Sequence, residues 1–149
     1  MESEAELPID PVKIARALGI NVYSAKLENT LSGMIAKLQD DPGIDIYLNS
    51  EHVPVRQRFT CAHELGHYFA IRETGSLDSK QFVHRRDARS SCGTHAEEVF
   101  ANKFAAELLM PESQVVQLNG MGLDDLALAR RFNVSIDAMR FRLKNLSLI

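Results

Sequence analysis

The chain has 149 residues, of which 45% are hydrophobic and 25% charged, ordinary values for a single globular domain able to bury a core. Its net charge of −3 gives no electrostatic reason for general nucleic-acid or membrane binding. No apolar run reaches the length of a membrane span, and the acidic start from Met1 to Glu6 lacks the basic and apolar parts of a signal peptide, so a cytoplasmic protein is expected.

Residues 1–9 read as an acidic lead. Asp10-Pro11 then has the form of a helix start, with Asp as cap and Pro in the first position. Val12, Ile14, Ala15 and Leu18 give that helix an apolar face, and Gly19 ends it. Ile20 to Tyr23 reads as a short strand. Ser32 to Leu38 and Ile44 to Leu48 predict two further strands, joined by a turn through Asp40-Asp41-Pro42-Gly43. An edge of such a sheet can bind extended substrate by backbone pairing. Tyr47, on the last strand, and Tyr68 are hydrogen-bond donors of the kind that stabilise an oxyanion.

Phe59 to Ile71 predicts an amphipathic helix, with Thr60 as N-cap and Phe59, Ala62, Leu65, Phe69 and Ala70 available for the core. It contains His63-Glu64-Leu65-Gly66-His67, an HExxH pentad. Residues four apart share a helix face, so both imidazoles can reach one metal ion. Glu64 can approach a metal-bound water, whose pKa zinc lowers to about 7. As a general base it would take the water's proton during attack on a carbonyl. Gly66 costs about 1 kcal/mol against alanine inside a helix, which fits close approach by another segment. Arg56 and Arg58 flank the entrance to this helix, to position substrate or to make structural pairs. Cys61 points roughly away from His63 and reads as a small buried residue. Cys92 reads as an incidental thiol, and neither cysteine has zinc-ligand spacing.

Glu73 to Gly93 forms a connection holding a short strand, Phe82-Val83-His84, followed by Arg85-Arg86-Asp87-Ala88-Arg89-Ser90-Ser91. Loops of this length beside active-site elements are more often functional or mobile than inert. His84 is a surface histidine or an aid to substrate and oxyanion.

Thr94 to Pro111 predicts a second helix. Thr94 and Glu97 make a capping-box pattern, and Pro111 marks a stop. Glu98, Ala101, Asn102 and Ala105 share one face, small except for its two polar groups. That face could lie close to the metal helix and present Glu98 as third ligand. Asn102, one turn on, could hydrogen-bond the outer nitrogen of a ligand histidine and so orient it. Glu97, about 100° around the helix, and His95 are the rival ligands.

Leu123 to Phe132 reads as a helix, Asn133-Val134-Ser135 as a turn with Ser135 as N-cap, and Ile136 to Leu146 as another helix, a helix-turn-helix pattern. Residues 121–149 carry five basic residues (Arg130, Arg131, Arg140, Arg142, Lys144) and three acids (Asp124, Asp125, Asp137), a surplus of +2. That is modest for phosphate contacts. The apolar face of Ile136, Met139, Leu143 and Leu146 must pack somewhere, which favours a structural or partner-docking role over DNA contact.

These motifs together resemble the ImmA/IrrE family of zinc metallopeptidases, an HExxH, gluzincin-like group. Arg56-Gln57-Arg58-Phe59-Thr60 runs into the pentad as in that family. Glu98-Val99-Phe100-Ala101-Asn102-Lys103-Phe104-Ala105-Ala106, ending Leu109-Met110-Pro111, is similar to its second motif, as are Leu31 to Ile35 and Ile46 to Asn49 to earlier segments. The resemblance spans roughly residues 10–148. It implies His63, His67 and Glu98 as metal ligands and Glu64 as general base. It also implies a protein substrate, a helix-turn-helix repressor. Phe100 departs from the pattern, since many members have a second acid there.

The expected fold is α+β: a small antiparallel sheet beside the HExxH helix and a second ligand helix, with a C-terminal helix-turn-helix-like segment. One domain, 1–149, is expected, with 10–111 as catalytic core and 112–149 as the helical C-terminal segment. The expected function is a zinc endopeptidase, with manganese or iron as alternative metals. Two other readings stand beside it: an interaction module of a toxin–antitoxin-like pair that binds without cleaving, and a DNA-binding regulator working through its C-terminal segment.

Overall fold

A computed structural model describes residues 6–37, 43–73, 82–87 and 94–149. The acidic lead up to Ala5, the turn through Asp40-Asp41-Pro42, the segment 88–93 with Cys92, and the side-chain role of His84 lie outside the described residues.

The chain opens with α1 (Pro11–Ala17), capped by Asp10, whose Oδ1 accepts from Val12 N at 3.1 Å and Lys13 N at 3.2 Å. Gly19 leaves the helix at φ +82°, a left-handed conformation that costs glycine little. Three strands follow, β1 (Asn21–Ala25), β2 (Leu31–Lys37) and β3 (Asp45–Asn49). Next come α2 (Pro54–Glu73), β4 (Phe82–Asp87) and α3 (His95–Leu109), then α4 (Glu112–Gly120), α5 (Asp125–Phe132) and α6 (Ile136–Asn145).

The fold is α+β, as expected, but its sheet is mixed rather than wholly antiparallel. The strand order is β1-β3-β2-β4. β2 pairs antiparallel with β3 (Ile35 opposite Ile46) and with β4, whereas β1 pairs parallel with β3 (Val22 opposite Ile46). The β2–β3 hairpin inserts beside β1 by its second strand, and that strand runs in β1's own direction. Asp45 accepts from the Asn21 amide at 2.9 Å and holds the start of this parallel pair.

α2 lies over the sheet. Ile35, Ile46 and Leu48 from the strands pack with Cys61, Leu65 and Tyr68 of the helix. Gly33 makes the close seat possible: a Cβ there would stand 2.5 Å from Tyr47 O and 2.7 Å from Thr60 Cγ2. Gly33→Val should therefore force β2 off α2 and cost about 1–3 kcal/mol or more, read as a lower urea midpoint. An unchanged midpoint would show that the sheet yields freely there.

On its other side α2 joins a second core, in which Ala62 meets Ala105, Leu109, Met110, Val115, Leu128, Phe132, Met139 and Leu143. The apolar face of α6 is thus spent on the protein's own interior. Ser135 caps α6 as expected, its Oγ accepting from Ala138 N at 3.1 Å. Asn133 turns the chain between α5 and α6 at φ 54°.

Two boundaries differ from expectation. Thr60 is not an N-cap: α2 begins at Pro54, and Thr60 is fully buried inside it. The polar run Arg56-Gln57-Arg58 hides the first turns, which Pro54 opens. Pro111 stops the preceding helix as expected, since α3 ends at Leu109 with Met110 as its C-cap, and a separate helix, α4, starts directly after the proline. β4 also takes in Arg85-Arg86-Asp87, expected as loop. Among the described residues no helix is long and apolar enough to cross a membrane.

Candidate metal centre

α2 sets His63 and His67 one turn apart, with ring centroids 4.8 Å apart and planes at 78°. Their Nε2 atoms lie 3.1 Å from each other. From α3, Glu98 reaches both: Oε2 is 3.2 Å from His63 Nε2, and Oε1 is 2.9 Å from His67 Nε2. The histidines are 1% and 3% exposed, and the Glu98 side chain 34%, so the cluster is buried on the histidine side and opens past the carboxylate.

The approach of α3 depends on small residues. Gly66 faces Ala101, and a Cβ on it would lie 2.9 Å from Ala101 Cα and 3.2 Å from both Ala101 O and Phe104 Cβ. Ala101 and Ala105 are fully buried at this seam. Asn102 belongs to the same face, and its Oδ1 stands 2.8 Å from His63 Nδ1. With Oδ1 accepting, Nδ1 carries the ring proton and Nε2 keeps its lone pair toward Glu98.

This donor set suits a metal ion. Two imidazole nitrogens and a carboxylate oxygen lie within 4.8 Å of one another. Two imidazole nitrogens at 3.1 Å need either a shared proton or a cation, and a two-histidine, one-carboxylate set is a common catalytic arrangement for zinc. Glu64 follows His63 directly and is 1% exposed, an acid held within the same helix interior.

The rival ligands fall elsewhere. Glu97 closes the capping box: its Oε2 accepts from Thr94 N at 3.3 Å while Thr94 Oγ1 accepts from Glu97 N at 3.2 Å. His95 is exposed and outside the metal-capable group. Phe100 is 43% exposed and leans on Phe104 with centroids 6.4 Å apart.

The flanking arginines have structural partners. Arg56 donates to Ser32 Oγ at 3.1 Å. Arg58 donates to the carbonyls of Ile9 (2.6 Å), Asn133 (3.1 Å) and Phe132 (3.4 Å), tying α2 to the N-terminal lead and the α5–α6 turn. Burial pulls its guanidinium below the usual value, partly offset by Asp10. Tyr47 stacks on Tyr23 at 5.3 Å, and Tyr68 packs into the sheet-side core against Phe69.

A buried hub not singled out from sequence is Asn49. It is fully buried, its amide donating to Leu31 O at 2.9 Å and Glu28 O at 3.0 Å while Oδ1 accepts from Glu51 N at 3.0 Å. It pins the approach to α2, and its signal was an amide closing an apolar strand.

Cys61 is fully buried, and burial, with Glu64 and Asp10 adding to it, pushes the thiol up to about 12. Iodoacetamide at pH 8 should leave Cys61 unmodified in the folded protein and alkylate it in urea, as peptide masses would show. Rapid modification without urea would mean that α2 opens readily.

Two helices that bring His, His and Glu together beside a small sheet define a metal-capable protein of the HExxH class. Residues 15–144 match the Peptidase_M78 model, described as the IrrE N-terminal-like domain, and the chain belongs to that metallopeptidase family. It is also 30% identical over 120 residues to uncharacterized immunity region protein 2 of Bacillus phage phi105, an alignment covering 79% of this chain and 70% of that protein.

Proposed function

We propose that the protein is a zinc-dependent endopeptidase whose substrate is a helix-turn-helix repressor. The observation that carries this reading is the convergence of His63, His67 and Glu98 from two helices. His63 and His67 would hold the ion through Nε2, and Glu98 through its carboxylate. When bound, the metal supplies Lewis-acid polarisation of water and of the scissile carbonyl. Asn102 keeps the proton on His63 Nδ1, so that Nε2 stays available. Glu64 accepts a proton from the attacking water at a carboxylate oxygen and passes it to the leaving amine nitrogen. The burial of Glu64 limits competition from bulk water.

A relative named for a phage immunity region supports a repressor as the substrate. Three features of the C-terminal helices count against DNA contact as the main activity. Arg142 is buried and donates to Met110 O at 3.0 Å. Arg140 is paired with Asp125 at 2.7 Å, an ion pair that holds the Asp125 carboxyl below its usual range. Met139 and Leu143 are core residues.

The test is to incubate candidate helix-turn-helix repressors from the same genome with the zinc-loaded protein and with EDTA-stripped protein, reading intact masses over time. Fragments from the loaded protein alone are expected, and their masses give the scissile bond. A stable complex without fragments would replace the peptidase reading with that of an interaction module.

A further inference from the structure

A groove of about 340 Å³ opens where the first turn of α2 meets the start of α6, lined by Val53, Val55, Arg56, Phe59, Val134 and Ala138, with Ser135 beside them. This volume is at the small end of the ~300–1,000 Å³ usual for ligand sites, room for one or two side chains. Its walls are almost wholly apolar. Val53, on the loop before α2, is 62% exposed and forms one wall.

The one charged residue in the lining is Arg56. Among the described residues its guanidinium bonds the neutral Ser32 hydroxyl and has no carboxylate partner. The groove also lies at the N-terminal ends of two helices, α2 and α6, whose dipoles add positive potential there. Asp137 stands on the first turn of α6 but outside the lining. This is an apolar slot with a single cationic side chain, Arg56, in its lining.

Val55, Phe59 and His63 occupy successive i, i+4 positions of α2, so the groove continues the stripe that carries the metal-facing histidines. The distance from Phe59 to His63 along the helix axis is about 6 Å.

We propose that this groove is a docking site for an acidic, amphipathic helical segment of a protein partner, which seats an apolar side chain between Val53, Phe59 and Val134 and places a carboxylate on Arg56. Helix-in-groove capture of this kind takes apolar anchors at i and i+4. The surface recruits a partner one turn of α2 from the metal centre. The inference does not rest on the peptidase reading, because capture is measured without turnover.

The probe is a fluorescein-labelled synthetic helix of about four turns, with leucines at i and i+4 flanked by glutamates, and a matched peptide with lysine for each glutamate. Both are titrated by anisotropy against full-length protein carrying Glu64→Gln. The acidic peptide should bind about tenfold more tightly than the lysine peptide, Arg56→Glu should reverse that preference, and Val53→Ser should weaken both peptides. Arg56 and Val53 are exposed, so these variants should keep the native fold. Failure of the acidic peptide to bind, equal binding of the two peptides, or a preference unchanged by Arg56→Glu overturns the proposal. So does sedimentation showing the groove filled by a second copy, with a dimer that Ala138→Trp dissociates.

Discussion

Glu64→Gln is expected to keep the fold and the metal affinity while lowering cleavage of the proposed substrate by a factor of about 10²–10⁴, the range for loss of a positioned general base. The exchange is nearly isosteric, so the packing around this 1%-exposed side chain is retained. Glu64 is absent from the His63, His67 and Glu98 group, so zinc should bind the variant stoichiometrically. What the amide loses is a carboxylate able to accept a proton. Metal content and cleavage rate, measured on the same preparation, separate the possible outcomes. Full metal with no cleavage supports the base assignment. Full metal with wild-type cleavage would sink it, and lost metal would mean that Glu64 supports the ligand set.

The grouping of His63, His67 and Glu98 was legible because its information is local. The HExxH spacing puts two imidazoles on one turn of one helix, whatever that helix packs against. The second helix was readable by its face, since Glu98, Ala101, Asn102 and Ala105 recur at spacings of three and four, and the structure turns that face to α2. Glu97 looked equivalent as a residue type, but the capping box withdraws it.

Less could be read where the outcome depends on distant segments. The parallel β1–β3 pairing depends on where the β2–β3 hairpin inserts, and a strand of five residues carries no mark of direction. The start of α2 was missed because its first turns are polar or exposed, so periodicity there is weak. α4 falls in the segment expected to be helical, but its own bounds were not legible because no capping side chain marks its start at Pro111. The groove between α2 and α6 joins residues some eighty positions apart, beyond any local pattern.

Gly66→Val should be the most damaging single change at the α2–α3 seam. Even one added carbon meets Ala101 Cα at 2.9 Å, closer than real Cβ contacts come, and the obstacle is backbone rather than a movable side-chain tip. Valine brings two further methyl groups. Removing a helical glycine recovers at most about 1 kcal/mol of backbone propensity, whereas overpacking a buried seam costs about 1–3 kcal/mol or more. The net effect is destabilising, and it acts on function through position. α3 can relieve the contact only by moving away from α2, carrying Glu98 off the 2.9 and 3.2 Å approaches it makes to His67 and His63. Asn102, on the same face, would lose its 2.8 Å contact with His63 Nδ1. Zinc affinity should then fall by about 10-fold or more, the scale seen when groups orienting metal ligands are lost. Competition with a chromophoric chelator measures that fall, and urea unfolding of the metal-free protein measures the packing cost separately. Wild-type affinity in a destabilised variant would show that Glu98 is positioned by something other than the contact between Gly66 and Ala101.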